Sequence, residues 1–165
     1  DLAVRIGHLA DSSLSAVRVG QVRQIVCGSP DYFARNGTPQ MPADLSQHKI
    51  IATTGSSARL DWQFKSPGST ARNLHFSPDA KWQTNSIEAA RNVALDGWGI
   101  VRMLSYQAAP FLADGRLQTV LDDHAPDPVP VHLVHPEGRN APAKVRSFID
   151  LAAETLRQNP ILQGE

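Results

Sequence analysis

Apolar residues in this chain fall mostly into short runs of strand length, interrupted by a few stretches in which they recur with helical spacing. The first run, Leu2, Ala3, Val4 and Ile6, is too brief for a helix and is closed by Gly7. It predicts a strand buried on both faces of an α/β sheet. Asp11-Ser12-Ser13 supplies turn chemistry, and residues 14–19 resume an extended pattern before Gly20. Residues 24–27 form another short strand pattern, stopped by Gly28-Ser29-Pro30, where Ser29 is placed to cap a helix opening at Pro30. That helix should end near Asn36-Gly37. A loop through Thr38 and Pro42 then leads to a brief turn at Asp44-Leu45 and a strand over residues 49–53. Between Arg59 and Gln83 three short strands are expected, at 60–64, 71–76 and 81–83, which makes the middle of the chain rich in β structure.

The clearest helix starts from a cap at Asn85 or Ser86. Ile87, Ala90, Val93 and Ala94 form its apolar stripe and Gly97 stops it. A buried strand over 99–103 runs into a helix over 105–113, ended by Asp114-Gly115, and a strand over 116–121 follows. Residues 122–130, rich in Pro and Asp, read as an extended crossing rather than an element. Residues 131–134 are a further strand, and Pro142 opens a terminal helix with Val145, Phe148, Ile149, Ala152 and Leu156 at apolar positions. Strand and helix alternate around a β-rich centre, so the expected class is α/β, with extended crossings at 22–27 and 128–134 setting a central lobe apart.

Composition narrows the functions. The 165 residues suffice for one ordinary domain or two small lobes. Sixteen Lys and Arg balance sixteen Asp and Glu, so no strong field recruits nucleic acid or an anionic membrane. The single Cys27 excludes an internal disulfide framework, and no secretory signal or long apolar span is present, which favours the cytoplasm. Asn36-Gly37-Thr38 matches a glycosylation triplet but reads as a turn.

In an open α/β sheet, ligands sit beyond the carboxyl ends of the strands, where loops and helix N-termini converge. That rule selects Arg5, Ile6, Gly7 and His8 at the first strand, Thr53 and Thr54 at the strand opening the central lobe, and Thr84, Asn85 and Ser86 before its main helix. Hydroxyls, the Asn85 amide and free helix N–H groups would suit a carboxylate or another polar acceptor. Asn85 and Ser86 can equally be a plain helix cap, and Arg5 can equally make a surface ion pair. His132 and His135, three apart on a strand, point to opposite faces, which discounts a zinc site. Cys27 has no partner Cys and no activating His, so it reads as a buried, inert thiol. Gly97-Trp98-Gly99 imitates a dinucleotide loop but lacks the third Gly and follows a helix. Trp98 can pack in the core or reach the cleft. Neither a cofactor nor a catalytic set is found.

Separated blocks carry a stronger signal. Asp1-Leu-Ala-Val-Arg-Ile-Gly7, Leu9, Asp11-Ser-Ser-Leu14, Ala16, Arg23, Cys27-Gly-Ser-Pro-Asp-Tyr-Phe-Ala34, Gly37-Thr-Pro39 and Pro42-Ala-Asp-Leu45 resemble the effector-binding domain of LysR-type transcriptional regulators. Trp62-Gln-Phe64, Asn85-Ser86, Ala89-Ala90, Gly97-Trp-Gly-Ile100, Tyr106, Gly115-Arg-Leu117 and Lys144-Val-Arg-Ser-Phe-Ile-Asp150 continue in the family order. Gly28 stands where Ala is more usual. The resemblance implies a two-lobed fold of the type II periplasmic-binding-protein kind. Residues 1–24 would form part of lobe I and the first crossover, 25–129 lobe II, and 130–165 the second crossover and the end of lobe I. It also implies a small-molecule effector, with an anion as one option, biasing a DNA-bound oligomer.

By that family pattern, the chain is expected to open in mid-fold, lacking the winged helix-turn-helix and the first elements of lobe I. DNA contact is therefore expected only through a missing N-terminal domain, and Leu2, Val4, Phe148 and Ile149 are expected to be exposed and to drive self-association. Rival readings are a type II solute-binding protein of a transporter and an enzyme on the same scaffold.

Overall fold

The computed structural model describes residues 2–9, 14–54, 61–66, 73–136 and 142–163. The turn expected at residues 11–13 and the first residues of the strands expected at 60–64 and 71–76 lie outside them. In chain order the elements are β1 (Ala3–Ile6), β2 (Ser15–Val22), β3 (Gln24–Gly28), α1 (Pro30–Asn36), β4 (Ile50–Thr53), β5 (Trp62–Lys65) and β6 (Asn73–Phe76). Then follow β7 (Trp82–Thr84), α2 (Ile87–Leu95), β8 (Ile100–Leu104), α3 (Ser105–Ala113), β9 (Gln118–Val120), β10 (Val129–His135) and α4 (Ala143–Arg157). They form two compact units, one of residues 1–23 and 127–165, the other of residues 24–126.

The second unit is built on a five-stranded sheet in the order β7-β4-β8-β3-β9. β4 runs parallel to β7 and β8, and β3 is antiparallel to β8 and β9. Alternate residues of its strands enter two separate cores, which is why the strands read as unbroken apolar runs. Val26, Ile50, Ile100 and Val120 pack with Tyr32 and Phe33 of α1, Leu45, and Trp62 and Phe64 of the β5–β6 hairpin. Ile25, Cys27, Ile51, Val101 and Met103 pack instead with Ala90 and Ala94 of α2 and Ala108 of α3. The helices sit where their signals place them. Ser29 Oγ accepts the Tyr32 N–H at 3.2 Å, and Gly37, at φ 82°, closes α1. A Cβ at Gly28 would lie 3.0 Å from Phe33 Cζ and 3.2 Å from the Gly99 carbonyl oxygen, a close fit between α1 and the sheet. Leu121 adopts a left-handed φ of 63° ahead of a 3-10 turn over Asp122–His124. The segment expected to be purely extended therefore holds one short element, because two bonds close it: His124 N–H to Leu121 O and Ala125 N–H to Asp122 O.

The first unit is a three-stranded antiparallel sheet in the order β1-β10-β2. β2 is backed by α4, whose Ile149 and Ala153 are buried, and Arg157 donates to the Arg18 carbonyl from Nε and Nη2. Two expectations are corrected here. β1 is not buried on both faces: Val4 is 57% and Ile6 39% exposed, because among the described residues the strand pairs with β10 alone, whereas α4 packs on β2. Ile149 is covered while Phe148 and Leu151 are exposed, since a helix at 3.6 residues per turn offers β2 only one of its faces.

Candidate functional site

The parallel strands of the second unit end together, and α2 begins at the same place. Thr53 and Thr84 are register partners at the ends of β4 and β7. Thr54 follows, donating to the Thr84 carbonyl from its N–H at 2.8 Å and from Oγ1 at 3.3 Å. Thr84 Oγ1 accepts the Ser86 N–H at 3.1 Å, and Ser86 Oγ accepts the Ala89 N–H at 3.2 Å as the cap of α2. Ser86 also donates to Glu88 Oε2 at 3.0 Å. The Glu88 carboxyl is held below its ordinary range by its own backbone N–H and then by that hydroxyl. Asn85 is exposed beside them. The fold thus gathers Thr53, Thr54, Thr84, Asn85 and Ser86 at one end of the sheet, with the Ser86 hydroxyl engaged in capping.

A cavity of about 590 Å³ opens at this end, lined by Thr53, Ile87, Gln24, Asp61, Trp62, Gln63, Arg102, Met103, Leu104, Gln107 and Pro126. Its cation is Arg102, a residue for which the strand-end rule has no place because it lies inside β8 rather than after it. The signal available was a lone arginine in an otherwise apolar strand, Ile100-Val-Arg-Met-Leu104. The guanidinium carbon lies 5.8 Å from the Trp62 ring centre and 5.5 Å from that of Phe64. Nη2 donates to Gln24 Oε1 and, at 3.1 Å, to the Gln63 carbonyl. Burial pushes the guanidinium down to about 10, opposed by the charge of Asp61, so it remains a cation at neutral pH. Asp61 is itself bonded to His75, Oδ2 to Nδ1 at 2.8 Å. The result is a half-buried cation with aromatic rings and amides beside it, chemically suited to a group that accepts hydrogen bonds.

The remaining sequence candidates lie in the first unit. Arg5 is the register partner of His132. Ile6 is exposed, and Gly7, at φ 139°, donates its N–H to the Pro130 carbonyl at 3.0 Å. His8 lines a smaller hollow of about 380 Å³ with Leu9, Arg18, Pro128, Pro130 and His132. Cys27 is fully buried, and desolvation followed by the charge of Asp122 pushes its thiol up to about 12, which leaves it without nucleophilic character. Trp98 packs against the core below α2. Among the described residues no metal-binding cluster occurs, and no helix is long and apolar enough to cross a membrane.

The model of the LysR substrate binding domain matches residues 1–157. An HTH-type transcriptional regulator of Haemophilus influenzae is 31% identical over 145 residues, covering 88% of this chain and 49% of its own. One from Xanthomonas campestris is 32% identical over 160 residues, covering 94% and 46%. Among solved structures, CrgA, a LysR-type transcriptional regulator from Neisseria meningitidis, superposes with a TM-score of 0.80 at 28% identity, over 96% of this chain and 53% of that one. The regulatory domain of CrgA alone superposes at 0.72. The chain spans about half the length of the curated relatives it matches. Coverage on this scale, along the order of blocks already legible in the residues, makes this chain a member of the LysR substrate-binding domain family.

Proposed function

We propose that this chain is the effector-sensing part of a LysR-type bacterial transcription regulator, acting in the cytoplasm, in which ligand binding rather than catalysis is the output. The observation that carries this is the Arg102 cavity, set at the carboxyl ends of the parallel strands in a chain of this family. A small anion fits it best. Arg102 would supply the charge, Gln24, Gln63 and Gln107 the flanking polar groups, Trp62 an aromatic wall and Thr53 a hydroxyl, with Thr54, Thr84, Asn85 and Ser86 at the same end of the sheet as further candidates. Arg5, Ile6, Gly7 and His8 remain the first unit's own candidates for ligand contact. In this reading residues 1–24 and 130–165 belong to lobe I, and 25–129 to lobe II. A ligand that binds one arrangement of the lobes better than another shifts an oligomer bound to DNA by that difference in affinity.

DNA recognition is assigned outside this chain, whose charges balance. A gel-shift titration with duplex DNA should therefore show no salt-sensitive affinity. Self-association is proposed through the first unit, where the edge strand β1 and the apolar Val4, Ile6 and Phe148 are exposed. Light scattering over a concentration series should show mass rising with concentration. The direct test of the ligand site is calorimetric titration with acetate, succinate and benzoate, comparing the chain with Arg102→Gln. A charge-assisted hydrogen bond contributes about 1.5–3 kcal/mol, so the variant should bind the best carboxylate about tenfold or more weakly. Carboxylate binding of equal strength in both would remove Arg102 from the site.

A further inference from the structure

A second cavity, of about 530 Å³, lies at the opposite end of the second unit's parallel strands, where β4, β7 and β8 begin and α2 ends. Its lining shares no residue with the Arg102 cavity. Tyr32, Trp82 and Trp98 form the aromatic part, and Arg35, Lys49 and Asp96 carry the charge. Tyr32 is fixed as a wall, because its hydroxyl accepts the Lys49 backbone N–H at 3.0 Å and bonds His48 Nδ1 at 3.2 Å. Lys49 Nζ stands 5.5 Å from the Trp98 ring centre, and Arg35 Nη2 donates to the Gly97 carbonyl at 2.9 Å. Arg35 and Lys49 are thus oriented, yet among the described residues none of Arg35, Lys49 and Asp96 makes an ion pair.

Asp96 is the more telling of these. It caps the carboxyl end of α2, where the unpaired carbonyls of the helix already concentrate negative charge, so a carboxylate there is unfavourable until a cation meets it. No basic residue occupies the last turn of α2 to do so. The cavity therefore offers, at its exposed rim, two cations that meet carbonyls and an indole ring but no carboxylate, one carboxylate in a place that calls for a cation, and indole surface in the same lining.

We propose that this cavity binds a small aromatic zwitterion of the α-amino acid class, its ring against Trp82 and Trp98, its carboxylate on Lys49 and Arg35, and its ammonium on Asp96. A simple aromatic acid satisfies the cations but leaves Asp96 facing it, and an aromatic amine does the reverse. The zwitterion alone uses all three charges, so the site discriminates by complementarity of both signs.

The chain's three tryptophans make the test direct, since Trp62 belongs to the Arg102 cavity and the other two to this one. In Trp62→Phe, emission comes from Trp82 and Trp98, and titration is made with L-phenylalanine, with hydrocinnamate, which lacks the ammonium, and with phenethylamine, which lacks the carboxylate. The same titrations by calorimetry on the unsubstituted chain give the answer if Trp62→Phe folds poorly. L-phenylalanine should bind saturably and about tenfold or more tightly than either analogue. Asp96→Asn should remove its advantage over hydrocinnamate, and Lys49→Gln should reduce its advantage over phenethylamine. The proposal is overturned by absence of saturable binding, by hydrocinnamate or phenethylamine matching L-phenylalanine, or by affinity that neither substitution changes.

Discussion

β1 and β8 look alike as sequence: Ala-Val-Arg-Ile in one, Ile-Val-Arg-Met-Leu in the other, each an apolar run holding one arginine. Their surroundings share almost nothing. β8 lies between β4 and β3, sends Ile100 into one core and Val101 and Met103 into the other, and places Arg102 between the aromatic rings of Trp62 and Phe64. Among the described residues β1 hydrogen-bonds to β10 alone, and all four of its residues are exposed. An arginine is partly desolvated and held in place where neighbours strip its water and fix its fork, and stays a solvated surface charge where they do not. Composition of the run is a poor guide to which of these occurs.

The sharpest way to break this contrast is to shorten one side chain on each strand. Ile100→Ala should cost about 2–5 kcal/mol in urea denaturation, as expected for a fully buried aliphatic side chain, whereas Val4→Ala should stay within about 0.5 kcal/mol. Equal losses would mean that β1 is as well covered as β8. The next test asks whether looseness is a property of the whole first unit or of β1. A Cβ at Gly20, on β2, would lie 2.3 Å from the Leu162 carbonyl oxygen, so Gly20→Ala should cost about 1–3 kcal/mol and show that β2 is tightly packed although β1 is not.

Smaller effects extend the comparison to the helices. α1 of the second unit has a side-chain cap and α4 of the first has none, its N-cap being Pro142. Ser29→Ala should therefore lower stability by about 1 kcal/mol, read as a shifted denaturation midpoint. The smallest concerns pH. Burial holds the His48 imidazole below its ordinary value of 6.5, with Asp44 opposing, so the folded chain takes up this proton less readily than the unfolded one. The stability linked to it is complete above the unfolded value and is lost as pH falls through the folded one. Between pH 7 and 5, the urea midpoint of His48→Gln should accordingly fall slightly less than that of the unsubstituted chain.

Much of the second unit was legible from local signals, because these act within a few residues. Ser29 before Pro30, Ser86 three residues ahead of Ala89, and the glycines at 37 and 97 mark their helix ends whatever packs around them. The strand-end rule selected Thr53, Thr54, Thr84, Asn85 and Ser86, which the fold does gather at one end of the sheet, since parallel strands deliver their carboxyl ends to one side. It could not find Arg102, Trp62 or Gln24, which meet across residues far apart in the chain.

By itself, then, the sequence determined the α/β class, the helix boundaries and membership of a family whose blocks recur in order, because caps, periodicity and block order are one-dimensional properties. Tertiary structure alone decided that Arg102 is desolvated, that Val4 is uncovered and Ile149 is not, and that Lys49 and Asp96 line one cavity with Trp82 and Trp98. Burial and charge pairing depend on which distant segments arrive at a surface, and no stretch of residues carries that information locally.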